Sequence, residues 1–105
     1  MSMDKVGLYV KFRTQAGHRD SLVKILLEAA GLMAGASGCE LYMVNTVPGE
    51  DDVVWVTEIW RSAADHEVSL SVPGVRELIG QAMPLLAGPP ERIDVRPAGG
   101  AGLDG

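Results

Sequence analysis

The side chains of this sequence that could carry out proton-transfer chemistry lie between positions 42 and 83. His66 follows Trp60 by six residues, and histidine is the side chain that most readily takes up a proton near neutral pH. We interpret His66 as a candidate catalytic base, and Trp60 (through its indole N–H) and Asn45 as candidate donors to a developing oxyanion. Further residues could line a substrate pocket with rings, a carboxylate or a thioether: Tyr42, Trp55, Glu58 and Met83.

Each of these residues also has a purely structural interpretation. Trp60 could fill the core where a strand meets a helix, and His66 could face solvent on a short helix. Asn45 could satisfy the edge of a hairpin, and Glu58 could pair with a nearby arginine. Met83 could fill a gap in the core, as methionine often does. The residue types alone leave these alternatives open.

Composition and charge narrow the class of protein. The chain has 105 residues, 47% of them hydrophobic and 22% charged, which is typical of one soluble globular domain. The net charge is −5 and the lysines and arginines are not clustered, so we expect no binding to nucleic acid or to an anionic membrane surface. The single cysteine, Cys39, cannot form an intrachain disulfide or a cysteine-based zinc site.

No recognisable cofactor motif is present. The two histidines, His18 and His66, lack the spacing of metal ligands. The glycines at 35 and 38 follow a predicted helix instead of opening one, so they do not form a phosphate-binding loop. We therefore predict no cofactor and no metal. The first residues lack the apolar region of a signal peptide, and no apolar run approaches the roughly 20 residues of a membrane span. We expect a soluble, cytoplasmic protein.

The spacing of hydrophobic residues changes along the chain, and these changes predict elements in the order β-α-β-β-α-β. Alternation predicts strands over 6–13, 39–47, 53–60 and 92–96, with residues 48–52 forming the loop of a hairpin. Helical spacing predicts one helix over 18–34 and a second helical segment in two pieces, 63–70 and 73–87. Ser62 is the predicted N-cap of the first piece, Pro73 is the predicted first residue of the next, and Pro84 is expected to kink it.

This order predicts an α+β, ferredoxin-like fold with an antiparallel four-stranded sheet and both helices on one face. Residues 1–97 would form a single domain, and 98–105 a flexible glycine-rich tail. The predicted third strand is apolar on both faces, with Trp55 and Ile59 on one and Val56 and Trp60 on the other. Because both faces then need a cover, we expect a homodimer in which two sheets pack face to face.

The segment 58–62 reads Glu-Ile-Trp-Arg-Ser. A third strand that ends in Glu-x-Trp-x-Ser, followed by a short helix containing histidine, resembles the antibiotic biosynthesis monooxygenase (ABM) family over about residues 5–97. The resemblance implies a dimeric α+β barrel. A common pattern of the family places histidines where this sequence has Ser69 and Gly74. The haem-degrading branch needs a histidine in the second helix, and residues 73–87 contain none, so haem oxygenation is not expected.

The resemblance implies a cofactor-independent monooxygenase that acts on a quinol- or anthrone-type aromatic, either a small phenol or a polyketide-like compound. Such a substrate, once deprotonated, can reduce dioxygen itself, so the protein needs a dry pocket, a base and a donor. The expected partners are a second copy of the chain, a small apolar aromatic substrate and dioxygen. One alternative is a non-catalytic dimeric module that binds a small ligand on the same fold. Another is a cofactor-free isomerase or cyclase.

Overall fold

The structure, a computed structural model, describes residues 4–102, and its elements follow the predicted order. The strands are Val6–Arg13 (β1), Cys39–Val47 (β2), Glu50–Trp60 (β3) and Glu91–Val95 (β4). The helices are Arg19–Met33 (α1), Ala63–Ser69 (α2) and Val75–Ala82 (α3), with a 3₁₀ turn at Met83–Leu85. The strands pair antiparallel in the order β2-β3-β1-β4. The predicted α+β, ferredoxin-like fold is therefore confirmed.

Three local boundaries differ from the sequence-based expectation. The hairpin turn is shorter than predicted, because Val47 pairs with Glu50 across residues 48–49. The helix predicted to start at Pro73 begins instead at Val75, because Gly74 has a φ of +96° and cannot belong to it. From Met83 the helix tightens into a 3₁₀ turn that contains Pro84, which lacks the N–H needed to continue an α-helix.

Residues 98–102 of the predicted tail form neither helix nor strand, and 103–105 lie outside the described residues. Flexibility of the tail stays a prediction. No helix within residues 4–102 is long and apolar enough to cross a membrane.

The helices cover one face of the sheet and form two clusters of buried side chains with it. In the first, Leu22 and Leu26 of α1 pack against Val54 and Val56 of β3. Each such buried aliphatic side chain contributes about 1.5–3 kcal/mol to the stability of the fold. A second cluster, Met33, Trp60 and Val75, joins α1, β3 and α3. The helical layer is thus anchored at both ends of β3.

The junction between β3 and α2 is held by several hydrogen bonds. Ser62 caps α2, as predicted, by accepting from the backbone N–H of Asp65 at 3.1 Å. The backbone N–H of Arg61 donates to the carbonyl of Gly38 at 2.8 Å, and its side chain donates to Asp65 at 2.9 Å. Gly38 has a φ of +82°, and a Cβ there would lie 2.4 Å from the Asp65 carboxylate. These contacts fix α2, and with it His66, relative to the end of β3.

The opposite face of the sheet carries large apolar side chains, among them Tyr9, Met43 and Ile93, which are 41%, 44% and 54% exposed. They form one row across the sheet, since Thr57 pairs with both Met43 and Tyr9, and Tyr9 pairs with Ile93. We call this the open face. It contrasts with the covered face, where alternate residues of the same strands are packed under helices.

Candidate functional site

A cavity of about 290 Å³ lies between the covered face of the sheet and the helical layer. This volume is near the lower end of the roughly 300–1,000 Å³ found for small-molecule sites. Leu70, Ile79 and Met83 line it and are about half exposed, which places its mouth between the end of α2 and α3. Most of its walls are apolar, and its polar side chains are Tyr42, Glu58, His66 and Ser69. A small aromatic molecule matches this size and lining.

Glu58 reaches the cavity because it lies on the same face of β3 as Trp60, two residues further along. Trp60 is fully buried, and its indole N–H donates to Glu58 Oε1 at 2.9 Å. This bond uses the one hydrogen that an indole can donate. The indole therefore holds the carboxylate in place and is not itself a donor to a ligand.

His66 faces the same carboxylate from α2. Its Nε2 lies 3.8 Å from Glu58 Oε1, and the two side chains are 15% and 12% exposed. The imidazole also lies against the ring of Trp60, with centroids 5.5 Å apart. A separation of 3.8 Å is too long for a direct hydrogen bond, but a hydroxyl group or a water can bridge the two groups. The three side chains, which we call the Glu58 cluster, close one end of the cavity.

Tyr42 is the cross-strand neighbour of Glu58. Burial raises the pKa of its phenol far above the ordinary value, and the nearby charge of Glu58 raises it further, with a smaller contribution from Cys39. The same two causes, burial first and Glu58 second, raise the pKa of the Cys39 thiol. Tyr42 consequently stays neutral at physiological pH, and its hydroxyl can donate a hydrogen bond.

The structure brings most of the predicted site residues together. The cavity is lined by Tyr42, Glu58, His66 and Met83, with Trp60 directly behind Glu58. The carboxylate of Glu58, the imidazole of His66 and the phenol of Tyr42 therefore line the same cavity.

The structure places Asn45 and Trp55 elsewhere, on the open face. The amide of Asn45 donates to the carbonyl of Trp55 and to the hydroxyl of Thr57, both at 3.3 Å. The ammonium of Lys11 lies over the Trp55 ring, 5.7 Å from its centroid. Strand alternation alone separates these residues from the cavity, since Asn45 is three residues from Tyr42 and Trp55 is three from Glu58.

Ser69 is a cavity residue that sequence reasoning did not select. It is buried, and its hydroxyl donates to the backbone carbonyl of His66. Two signals could have identified it: its position one helical turn after His66, and its place at a histidine position of the family pattern.

Within residues 4–102 no group of three or more histidine, cysteine, aspartate and glutamate side chains is arranged to hold a metal ion. The absence of a cofactor stays a prediction.

The fold is similar to those of solved structures of other proteins. A structure from Chloroflexus aurantiacus, named as a candidate antibiotic biosynthesis monooxygenase, is 38% identical, with a TM-score of 0.83 over 91% of this chain and 95% of that one. SnoaB from Streptomyces nogalater, a cofactor-independent oxygenase, is 14% identical, with a TM-score of 0.80 over 93% and 97% of the two chains. At that identity the likeness to SnoaB shows the fold alone.

No curated protein matches the sequence. The sequence profile of the antibiotic biosynthesis monooxygenase family, however, matches residues 6–80, which is most of the chain. With the Chloroflexus relative and the Glu-x-Trp-x-Ser end of β3, this match shows that the chain belongs to the antibiotic biosynthesis monooxygenase family.

Proposed function

We propose that this protein is a cofactor-independent monooxygenase that oxygenates a quinol- or anthrone-type aromatic with dioxygen. The observation that carries the proposal is an apolar cavity of small-aromatic size with a carboxylate and an imidazole at one end. Membership of the family supports it, as does the shared fold of SnoaB, which is named as a cofactor-independent oxygenase.

The proposed reaction begins when His66 takes a proton from the substrate, from a hydroxyl of a quinol or from the methylene of an anthrone. The electron pair of the broken O–H or C–H bond stays on the substrate, which becomes electron-rich enough to reduce dioxygen. Over the whole reaction the substrate loses two hydrogen atoms and gains one oxygen atom, and the other oxygen atom leaves as water. Atoms and electrons therefore balance, because the substrate supplies all the electrons that reduce dioxygen, and no external reductant is needed.

Each residue of the site has a role in this scheme. Glu58 faces Nε2 of His66 at 3.8 Å, and a hydroxyl group or a water can bridge the two side chains. Trp60 is a positioning residue that holds Glu58. The neutral hydroxyl of Tyr42 donates to the substrate oxyanion. The apolar walls exclude water, which strengthens these electrostatic interactions.

Oxygen uptake tests the proposal. The purified protein is incubated with a panel of hydroquinones and anthrones in an oxygen electrode, and we expect uptake well above that of buffer. His66→Ala should slow uptake by about 10²-fold, the usual contribution of one acid–base group. His18→Ala, at the exposed start of α1, is the matched control and should keep the full rate.

The same experiment separates the alternative functions. A rise in melting temperature with an aromatic ligand, but no oxygen uptake, would instead support a non-catalytic binding module. A product of unchanged mass would support an isomerase. The substitution of Ser69 and Gly74 at two histidine positions of the family pattern is the observation that keeps the binding module as the second candidate.

We also propose that the working form is a homodimer joined through the open face. The row across the sheet consists of Met43, Thr57, Tyr9 and Ile93, and three of these four side chains are large, hydrophobic and exposed. Large exposed apolar patches are uncommon on monomers. A two-fold related copy presents the same row and buries it. Each protomer would then keep its own cavity on the side away from its partner.

A further inference from the structure

His66 borders more than the apolar cavity. It also lines a hollow of about 350 Å³ between α2 and the β4 side of the sheet, and another of about 490 Å³ along the outside of α2. We call these two the outer hollows. Among the described residues, His66 is the one that lines the cavity and both outer hollows. His66 therefore borders both the cavity beneath the helical layer and the hollows on the outer side of that layer.

The two sides of His66 differ in polarity. The cavity side is apolar apart from a few groups, of which Glu58 lies closest to the imidazole. The outer hollows are lined by apolar residues together with four charged side chains: Glu67, Arg92, Asp94 and Arg96. Arg92 Nε donates to Asp94 Oδ1 at 2.7 Å, and both side chains are more than half exposed, so this side is in contact with water. His66 thus lies between a mostly apolar cavity and two hollows in contact with water.

We propose that His66 is the proton conduit between the cavity and solvent. This inference rests on the proposed function. In the first step an O–H bond of a quinol or a methylene C–H bond of an anthrone breaks, an N–H bond forms on the imidazole, and the electron pair stays on the substrate. In the second step the N–H bond breaks and the proton passes to water or a buffer base in an outer hollow.

The conduit works in both directions during one reaction cycle. When the second atom of dioxygen leaves as water, it needs protons, and His66 delivers one from the outer hollow. Over the cycle the hydrogens lost by the substrate equal those gained by water, so no net proton is released. Dioxygen is the oxidant throughout, and His66 changes only its protonation.

Charged groups lie on both sides of His66. Glu58 of β3 is on the cavity side, with its Oε1 3.8 Å from Nε2, and the ring of Trp60 lies against the imidazole. Arg92 of β4 lines both outer hollows and is paired with Asp94.

The kinetic test compares two substitutions of His66. His66→Gln keeps a polar side chain of similar reach but cannot carry a proton, and we expect oxygen uptake to fall by about 10²-fold. His66→Ala opens a path from the outer hollow into the cavity. Added imidazole should therefore raise the rate of this variant at least tenfold, by about the order of magnitude expected of one acid–base group. The matched control, His18→Gln, should keep the wild-type rate and show no response to imidazole. A wild-type rate in His66→Gln, or no rescue of His66→Ala, would overturn the proposal.

A second test needs no turnover. Diethylpyrocarbonate modifies accessible imidazoles. 1-Naphthol, kept under nitrogen so that it cannot be oxygenated, serves to fill the cavity, with binding followed by calorimetry. If His66 is reached from the outer hollows, its modification rate should stay the same when naphthol saturates the cavity. His18 is the internal reference. Strong protection of His66 by naphthol would show that the cavity is its sole access and would overturn the conduit.

These readouts separate the two proposals. Unprotected His66 together with no oxygen uptake from any quinol would refute the monooxygenase function while upholding access from both sides. Oxygen uptake that does not depend on His66 would refute the conduit while upholding the function. Failure of naphthol and of every quinol to bind would refute both.

Discussion

Replacing Trp60 with phenylalanine tests whether the indole holds the carboxylate of the site. The substitution removes the N–H that lies 2.9 Å from Glu58 Oε1, in a place where the indole is fully buried. A hydrogen bond to a charged group contributes about 1.5–3 kcal/mol, and an acceptor left without its donor costs a similar amount. The smaller ring also leaves unfilled volume, which adds about 1–2 kcal/mol. The single substitution therefore mixes two effects.

A double-mutant cycle separates the hydrogen bond from the loss of volume. We compare the free energy of unfolding of wild type, Trp60→Phe, Glu58→Ala and the double variant by urea denaturation at one protein concentration. The volume effect cancels, and the coupling energy between the two sites should be about 1.5–3 kcal/mol. The control cycle pairs Glu58→Ala with Trp55→Phe, on the open face, and should be additive within about 0.5 kcal/mol. A Trp60–Glu58 coupling as small as that of the control would refute the positioning role.

Three further perturbations have expected outcomes. Gly38→Ala should lower the free energy of unfolding by about 1–3 kcal/mol, because its φ of +82° is unfavourable for a residue with a Cβ. Gly31→Ala, in open space on α1, should instead stabilise by about 0.5–1 kcal/mol, and equal effects of the two substitutions would contradict this reasoning. Burial keeps the Tyr42 phenol neutral in the folded state while the unfolded residue ionises near pH 10.0. Stability should therefore fall as the pH rises above that value, and the fall should be smaller in Tyr42→Phe when urea midpoints are compared. Ile93→Lys, in the apolar row of the open face, should convert a dimer to a monomer in sedimentation velocity, whereas Leu27→Lys, equally exposed on α1, should remain a dimer; a monomeric wild type would contradict the dimer.

The order of elements could be predicted because it depends on local periodicity. Alternating apolar residues define β1 within the chain itself, and helical spacing defines α1. The start of α3 was missed because it depends on the left-handed backbone of Gly74, which glycine permits but does not require. The start of β3 differs from the prediction because residues 50–52 are acidic. Glu50 is placed in the strand by pairing with Val47, and the carbonyl of Asp52 accepts from the backbone N–H of Thr14.

Part of the site could also be predicted from local features of the sequence. Glu58 and His66 were found from their chemical types and from their spacing around Trp60. The role of Trp60 could not be predicted, because only side-chain packing shows that its N–H is used by Glu58. The location of Asn45 on the open face follows from strand alternation, because Asn45 is three residues from Tyr42. The two-sided position of His66 depends on how α2 lies against β4, which no local pattern indicates.

Isotope labelling tests most directly whether the protein oxygenates an aromatic substrate at the Glu58 cluster without a cofactor. The purified protein is treated with a chelator, given an anthrone under isotopically labelled dioxygen, and the product is examined by mass spectrometry. We predict one labelled oxygen atom in each product molecule, formed faster than in buffer and about 10²-fold more slowly by His66→Gln. Product without label, or the same rate with and without the protein, would contradict this function.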